Sequence, residues 1–153
     1  NVTRGALYHH FRDKEDLFRA IVEQESRAVA AEIERAATQA PSPLAALKQG
    51  SSAYFSAMAV AGRARLLLLD GPAVLGPEEM SLIDRDTGGG SLLDGLTGLF
   101  GKPADSETEA LAEMLSAAFD RAALAIAHGH SRPDYERAMN RLLDALAGTG
   151  PRA

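Results

Sequence analysis

The chain opens with V-T-R-G-A-L-Y-H-H-F-R-D-K, which runs from Val2 to Lys14 and carries the most informative pattern in the sequence. Thr3 is a residue type that caps helices, because its hydroxyl accepts a hydrogen bond from a backbone N–H of the first turn. Leu7 and Phe11 lie four residues apart, so on a helix they share one apolar stripe. The stretch therefore predicts a short helix whose apolar stripe needs a partner that this sequence does not contain.

The first turn of that predicted helix is small and positively charged. Arg4 is followed by Gly5 and Ala6, so a phosphate or a base edge could approach the helix N-terminus closely. The first twelve residues contain two arginines and no carboxylate, whereas the whole chain has a net charge of -5. This asymmetry is typical of a nucleic-acid-facing end on an otherwise acidic protein, and it predicts that any contact with DNA is local to that end.

The order of residues in this stretch closely resembles the TetR family of bacterial transcriptional regulators, in which a Thr-x-x-x-Leu-Tyr-x-x-Phe helix precedes a short turn and an acidic helix start. The matching residues are Thr3, Leu7, Tyr8, Phe11, Lys14, Glu15 and Leu17. The resemblance implies base contacts from the first turn and phosphate contacts from the residues that follow. The DNA-binding residues implied in this way are Thr3, Arg4, Gly5 and Ala6 near bases, Tyr8, His9 and Lys14 on phosphates, and His10 beside them.

The resemblance also implies a domain organisation. The family has further helices before the position of Asn1, including the scanning helix, so we expect an N-terminally incomplete reader, whether truncated or not observed. Residues 1–16 are then the C-terminal part of a helix-turn-helix DNA-binding domain. Residues 17–150 form a helical effector-binding and dimerisation domain, with 14–38 as the helix that connects the two.

Composition predicts an all-α fold of the TetR-like kind. The chain has 153 residues, the size of one domain, and 46% of them are hydrophobic while only 5% are aromatic. Alanine and leucine dominate, which favours helices over strands. The chain has no cysteine, so a disulfide framework is excluded and a reducing cytoplasm is the expected location. No apolar run approaches the roughly 18 residues of a membrane span, so no membrane partner is expected.

A long helix is predicted directly after the opening stretch. Asp13 can cap it, and apolar residues recur at helical spacing up to about Thr38. In the resemblance this helix transmits ligand occupancy to the reading head. From the residues alone, a long amphipathic core helix is the alternative interpretation.

Proline and glycine mark the boundaries of the middle helices. Pro41-Ser42-Pro43 ends the long helix, and the next helix is expected from Leu44 to about Gly62. The run Leu66-Leu67-Leu68-Leu69 covers all sides of a short helix, so that helix is expected to be buried all round. A helix starting at Pro77 is interrupted by Thr87-Gly88-Gly89-Gly90, which we interpret as a kink, a loop or a flexible gate beside a pocket. This glycine run does not fit the P-loop template, so it does not indicate a nucleotide site.

Two amphipathic helices end the chain. Ser106 is expected to cap the first, with Glu109 three residues later, and Pro133-Asp134 to start the second. Their apolar surface exceeds what one subunit can plausibly cover, which favours a four-helix homodimer interface, as the resemblance also implies. The alternative is that both stripes pack within one chain. The predicted interface residues are Leu111, Leu115, Ala118, Ala122, Ala125, Met139, Leu142, Leu143 and Leu146.

A ligand pocket is expected among the middle helices, and its predicted lining residues are Tyr54, Phe55, Met58, Leu67 and Phe119. Abundant Leu and Ala with few aromatics predict a small, mostly apolar effector. Catalytic chemistry has little support, because Asp70 has no paired acid or base and no nucleophile motif is present. His128 and His130 lie on different helix faces without further ligands, so no metal or other cofactor is expected.

Two functions follow from these patterns. The first is a ligand-responsive DNA-binding transcriptional regulator, a repressor that leaves its double-stranded operator when an effector binds. The second is a helical binding or scaffold module without a role on DNA, in which the opening resemblance is incidental.

Overall fold

The computed structural model describes residues 11–87 and 90–149, and within these ranges every regular element is helical, which confirms the predicted all-α fold. The helices are α1 (Lys14–Thr38), α2 (Pro43–Met58), α3 (Arg63–Arg65, Leu66–Asp70 and Gly71–Leu75 in succession), α4 (Pro77–Thr87), α5 (Ser91–Phe100), α6 (Ser106–Ala127) and α7 (Arg132–Thr149). The helix predicted over Arg4 to Phe11 lies almost wholly outside the described residues.

Helix α1 has the predicted bounds. The Asp13 side chain accepts a hydrogen bond of 2.8 Å from the backbone N–H of Asp16, and Glu15 and Asp16 place negative charge at the positive helix end. The helix continues for 25 residues to Thr38. Val22 and Val29 point from it into the protein interior.

Helix α2 packs along α1 on one side and against α5 and α7 on the other. It begins one residue earlier than predicted, because Ser42 caps it by accepting a hydrogen bond from the Ala45 N–H at 3.2 Å, which leaves Pro43 in the first turn. It ends at Met58, before Gly62, whose φ of 82° suits a glycine at the turn into α3.

Helix α3 differs from the prediction in two respects. Its four leucines start a π-helical stretch, Leu66–Asp70, and the helix continues without a break through Gly71–Leu75. The expectation that it is buried all round was wrong: Leu67 is buried, whereas Leu69 is 45% exposed. The wider π-turn spreads four consecutive side chains around the axis while only one side of the helix faces the core.

The predicted interruption after α4 is present, because α4 ends at Thr87 and α5 begins at Ser91. Gly88 and Gly89, on which the proposed gate rests, lie outside the described residues. In α5, Gly95 permits a close approach to α2, since a Cβ at this position would lie 2.5 Å from Leu47 Cδ2.

The capping prediction failed at helix α6. The cap of α6 is Asp105, whose carboxylate accepts hydrogen bonds from both the N–H and the hydroxyl of Thr108, and Ser106 is the first helical residue. Helix α7 is held on α2 by Arg132, whose Nη2 donates to Ser56 Oγ at 2.7 Å and to the Ser52 carbonyl at 3.2 Å.

The apolar interior consists of two clusters. The first cluster joins α1, the end of α2, α3 and α4, and it includes Val22, Val29, Met58, Leu67 and Ile83. The second cluster joins α2, α5, α6 and α7, and it includes Leu47, Phe55, Leu96, Phe119 and Leu143. In the described part of the chain, no helix is both long and apolar enough to cross a bilayer.

Two serines provide a matched test of the capping geometry. We expect Ser42→Ala to lower the free energy of unfolding by about 1 kcal/mol, because it removes the only side-chain acceptor of the α2 N-terminus seen in the described residues. Ser106→Ala should leave the free energy of unfolding nearly unchanged, because Asp105 caps α6. Urea unfolding of both variants checks this, and equal losses would contradict the capping assignment.

Candidate ligand cavity

A cavity of about 750 Å³ lies where the two apolar clusters meet. Helices α1 to α6 all contribute to its wall, and that wall is mainly apolar. Its volume is within the range of pockets that hold small organic molecules. Because so many helices share the wall, an occupant would touch most of the bundle at once.

Tyr54 is the central side chain of the wall. It packs against both apolar clusters, and its ring meets those of Phe55 and Phe119 edge to face, with centroids 5.7 and 5.6 Å away. Its hydroxyl donates a hydrogen bond of 2.7 Å to Asp120 Oδ1 across the gap between α2 and α6. Burial, and then the negative charge of Asp120, raise the pKa of Tyr54 far above its ordinary value, so the phenol remains a donor.

The structure brings together most of the residues predicted to line a pocket. Tyr54, Met58, Leu67 and Phe119 all lie on the cavity wall. Phe55 does not, since it points into the second cluster and is only 1% exposed. Phe55 lies on the side of α2 that faces α5 and α7, and its ring packs against that of Tyr54.

The sequence prediction missed the acidic groups of the wall. Four carboxylate side chains border the cavity, those of Glu34, Asp84, Asp94 and Asp120. Asp120 lies between Phe119 and Arg121, and the two charged residues, Asp120 and Arg121, within the apolar second half of α6 were the available signal. A single acid in a helix is usually solvated, so the pattern alone did not distinguish a cavity position from a surface position.

Two of these acids are electrostatically perturbed by their surroundings. Burial of the carboxyl group raises the pKa of Asp84, although the residue as a whole is exposed. Burial also raises the pKa of Asp120 and the negative charge of Asp84 adds to that rise, while the hydrogen bond from Tyr54 lowers it. The two carboxylates are thus close enough to influence each other across the cavity.

Helix α1 connects the cavity to the start of the chain. Seven residues from its second half lie on the wall, from Ser26 to Thr38. Arg63 fastens the same helix to the end of α2, because its Nε lies 2.7 Å from Glu25 Oε2 and its Nη1 donates to the Ala57 carbonyl at 2.8 Å. Nearer the N-terminus, Arg19 Nε lies 2.8 Å from Glu79 Oε1 of α4.

The predicted DNA-binding residues are described in one case only. Thr3, Arg4, Gly5, Ala6, Tyr8, His9 and His10 lie outside the described residues. Lys14 is exposed at the first position of α1, where its side chain is available to a phosphate.

The predicted dimer residues are placed on two different sides of α6 and α7. Five of them, Leu115, Ala122, Ala125, Met139 and Leu143, are buried within the chain. Leu143 is 0% exposed and cannot meet a second copy, because α7 uses this side to pack on α2. Leu111, Ala118 and Leu146 are half-buried, and Leu142 is 50% exposed. The apolar surface that remains outside includes Met114, at 70% exposure, which the prediction omitted.

No group of three or more His, Cys, Asp or Glu side chains is arranged to hold a metal ion anywhere in residues 11–87 and 90–149. His128 instead ends α6, with its Nδ1 at 2.6 Å from the Leu124 carbonyl oxygen. This contact places the imidazole ring at the negative end of the helix.

The raised carboxyl pKa values predict a pH-dependent stability. A carboxyl whose pKa is higher in the folded than in the unfolded state destabilises the fold when ionised, and this penalty disappears as the pH falls below the unfolded value of about 3.9. We therefore expect the double variant Asp84→Asn, Asp120→Asn to melt at a higher temperature than the parent protein near neutral pH, with the difference vanishing at acidic pH.

Melting curves recorded across this pH range measure the effect, and Glu78→Gln is the control, since Glu78 is an exposed carboxylate outside the cavity. The control should show no such gain. A double variant that is less stable than the parent at neutral pH would show that the carboxylates stabilise the empty protein.

Comparison with known families extends over nearly the whole chain. Residues 44–149 match the family described as tetracyclin repressor-like, C-terminal domain, and residues 1–21 match the bacterial regulatory proteins of the tetR family. No individual curated protein matches the chain significantly. The first match contains the cavity-lining parts of α2 to α6, and the second contains the opening motif and the start of α1. Since the C-terminal match alone spans more than half of the chain, the protein belongs to the TetR family of DNA-binding transcriptional regulators.

Proposed function

We propose that this TetR-family regulator is a repressor and that a small, mostly apolar effector bound in the cavity releases it from its operator. The proposal rests on one observation, that α1 takes part in both the N-terminal family match and the cavity wall. Its first residues belong to the N-terminal family match, and its second half forms part of the cavity wall. One rigid element therefore links the site where an effector would sit to the region that would hold DNA.

Effector binding changes DNA affinity only if the effector prefers one conformation of the protein. The cavity supplies a reason for such a preference, because its wall is shared between α1 and the helices that face it. An occupant that pushes α1 away from α4 and α5 would stretch the ion pair between Arg19 of α1 and Glu79 of α4. The resulting tilt of α1 would alter the spacing of two reading heads in a dimer.

We assign DNA contact to residues 1–16 and effector binding and dimerisation to residues 17–150. Within the first segment, Thr3, Arg4, Gly5 and Ala6 are the proposed base-facing residues, and Tyr8, His9, His10 and Lys14 lie at the phosphates. The N-terminal family match supports this assignment and favours a regulator over a helical scaffold module. A role on the chromosome places the protein in the cytoplasm.

The proposed homodimer uses the outer face of α6 and α7. Met114 and Leu142 are large, apolar and exposed there. Exposed alanines flank both residues at helical spacing, namely Ala110 and Ala117 on α6, and Ala138 and Ala145 on α7. Small side chains around a large one allow two helix pairs to approach closely, as in a four-helix interface.

The effector role can be tested with adjacent alanines of α1. Ala30 lies on the cavity wall, whereas Ala31 is exposed and faces away from the cavity. We expect Ala30→Trp to occupy part of the cavity, so that a releasing compound is needed at roughly tenfold higher concentration, which is about 1.4 kcal/mol of lost affinity. Ala31→Trp should respond like the parent protein.

The assay is a footprint made with the full-length protein on the DNA upstream of its own gene. A panel of small apolar compounds is then screened for release. The proposed function would be wrong if the same compound concentration released the Ala30→Trp and Ala31→Trp variants from DNA, or if the protein protected no promoter.

The dimer face has its own test. Met114→Arg with Leu142→Arg should shift the protein to the mass of a single chain in sedimentation, because four arginines would meet in a two-fold interface. Val60→Arg is the control, since Val60 is also exposed and apolar but lies after α2, away from α6 and α7. A double variant that remains dimeric would show that another surface pairs the copies.

A further inference from the structure

The charged side chains on the described part of the cavity wall are all negative. Glu34, Asp84, Asp94 and Asp120 border the cavity, and no lysine, arginine or histidine does so among the described residues. Arg63 is a basic residue near the cavity, but its guanidinium group is paired with Glu25 and Glu32 on the outside of α1. The wall therefore presents negative charge without a matching cation.

None of the four wall carboxylates forms an ion pair within the described residues. Asp120 receives one hydrogen bond from Tyr54, which leaves its second oxygen without a charged partner. Asp120 is half-buried, and burial raises the pKa of both Asp84 and Asp120, so their ionised forms are unfavourable unless a cation or several donors compensate them. These two carboxylates are therefore better explained by what enters the cavity than by the stability of the bundle.

Ser51 gives a second and independent indication of a polar occupant. This residue is only 5% exposed and lies on the cavity wall, one helical turn before Tyr54. Its hydroxyl has no hydrogen-bond partner in the described part of the chain, whereas the nearby Ser56 hydroxyl donates to the Ser52 carbonyl of its own helix. A buried hydroxyl usually finds a partner, so Ser51 is a free polar group directed at the contents of the cavity.

We infer that the effector is a lipophilic cation, with an apolar body against Tyr54, Met58 and Phe119 and one amine or quaternary ammonium group at Asp84 and Asp120. This inference rests on the proposed effector role of the cavity and names the chemical class of the occupant. The aromatic rings add to the attraction, because a ring face favours a nearby cation. Glu34 and Asp94 increase the negative potential of the wall, which attracts cations and repels anionic metabolites.

The inference also accounts for the raised pKa values of Asp84 and Asp120. Burial destabilises the ionised forms of both groups, and the negative charge of Asp84 adds to the penalty at Asp120. An entering cation would relieve both effects at once. Ligand charge and site charge are thus complementary, and a neutral ligand would leave the penalty in place.

The test uses three probes that share a para-biphenylmethyl body and differ only in the head group: trimethylammonium, hydroxyl and carboxylate. Their affinities for the protein are measured by titration calorimetry at neutral pH. We expect the ammonium probe to bind at least roughly tenfold more tightly than the alcohol, and the carboxylate probe to bind most weakly.

Variants then locate the charge recognition. Asp84→Asn with Asp120→Asn should weaken the ammonium probe by roughly tenfold while the alcohol changes by less than about twofold, because both substitutions keep shape and remove charge. Glu78→Gln, outside the cavity, should alter neither affinity. The alcohol also serves as the folding control, since its binding reports an intact cavity in each variant.

The outcomes separate this inference from the proposed function. If the alcohol binds as tightly as the ammonium probe, the cation inference is wrong and an apolar effector stands. If the ammonium advantage survives in the double variant, Asp84 and Asp120 are not its binding groups and the inference fails. If no probe binds, the inference fails as well, and the effector role is then decided by the promoter release assay alone.

Discussion

The bundle depends on the packing of α2 against α1, α5, α6 and α7, with Tyr54 and Phe55 at its centre. Phe55 is enclosed in the second cluster, and its ring fixes Tyr54 by an edge contact. Tyr54 therefore stands at the boundary between both clusters, where its hydroxyl needs an acceptor. Asp120 supplies that acceptor from α6, so one hydrogen bond of 2.7 Å satisfies the Tyr54 hydroxyl in mainly apolar surroundings.

The cavity lowers the stability of the protein in two ways. Empty volume removes packing contacts from the surrounding side chains, and unpaired carboxylates at its wall are only partly hydrated. A bundle selected for stability alone would fill the space with larger side chains and would replace Asp84 and Asp120 by apolar residues. These two costs to stability support the proposed effector role of the cavity.

Local chemistry made part of the structure predictable. The bounds of α1 followed from Asp13 and from apolar spacing, and the break after Thr87 followed from three glycines. The cap of α6 was misassigned because Ser106 and Asp105 are both good caps, and only the backbone turn selects between them. The stripes of α6 and α7 were recognised, but a stripe does not reveal whether its partner is the same chain or a second one. Leu143 is buried within the chain, whereas its neighbour Leu142 is 50% exposed.

The geometry of α1 determines how an occupant of the cavity can act at a distance. The helix has 25 residues, so it is about 37 Å long. Its wall residues lie in the second half, while Arg19 is held by Glu79 near the first turns. In the proposed mechanism, a force on the second half would turn the helix about these attachments. Val22 is fully buried between them, so the first cluster would act as the pivot, and displacement at the cavity would become rotation at the end nearest Lys14.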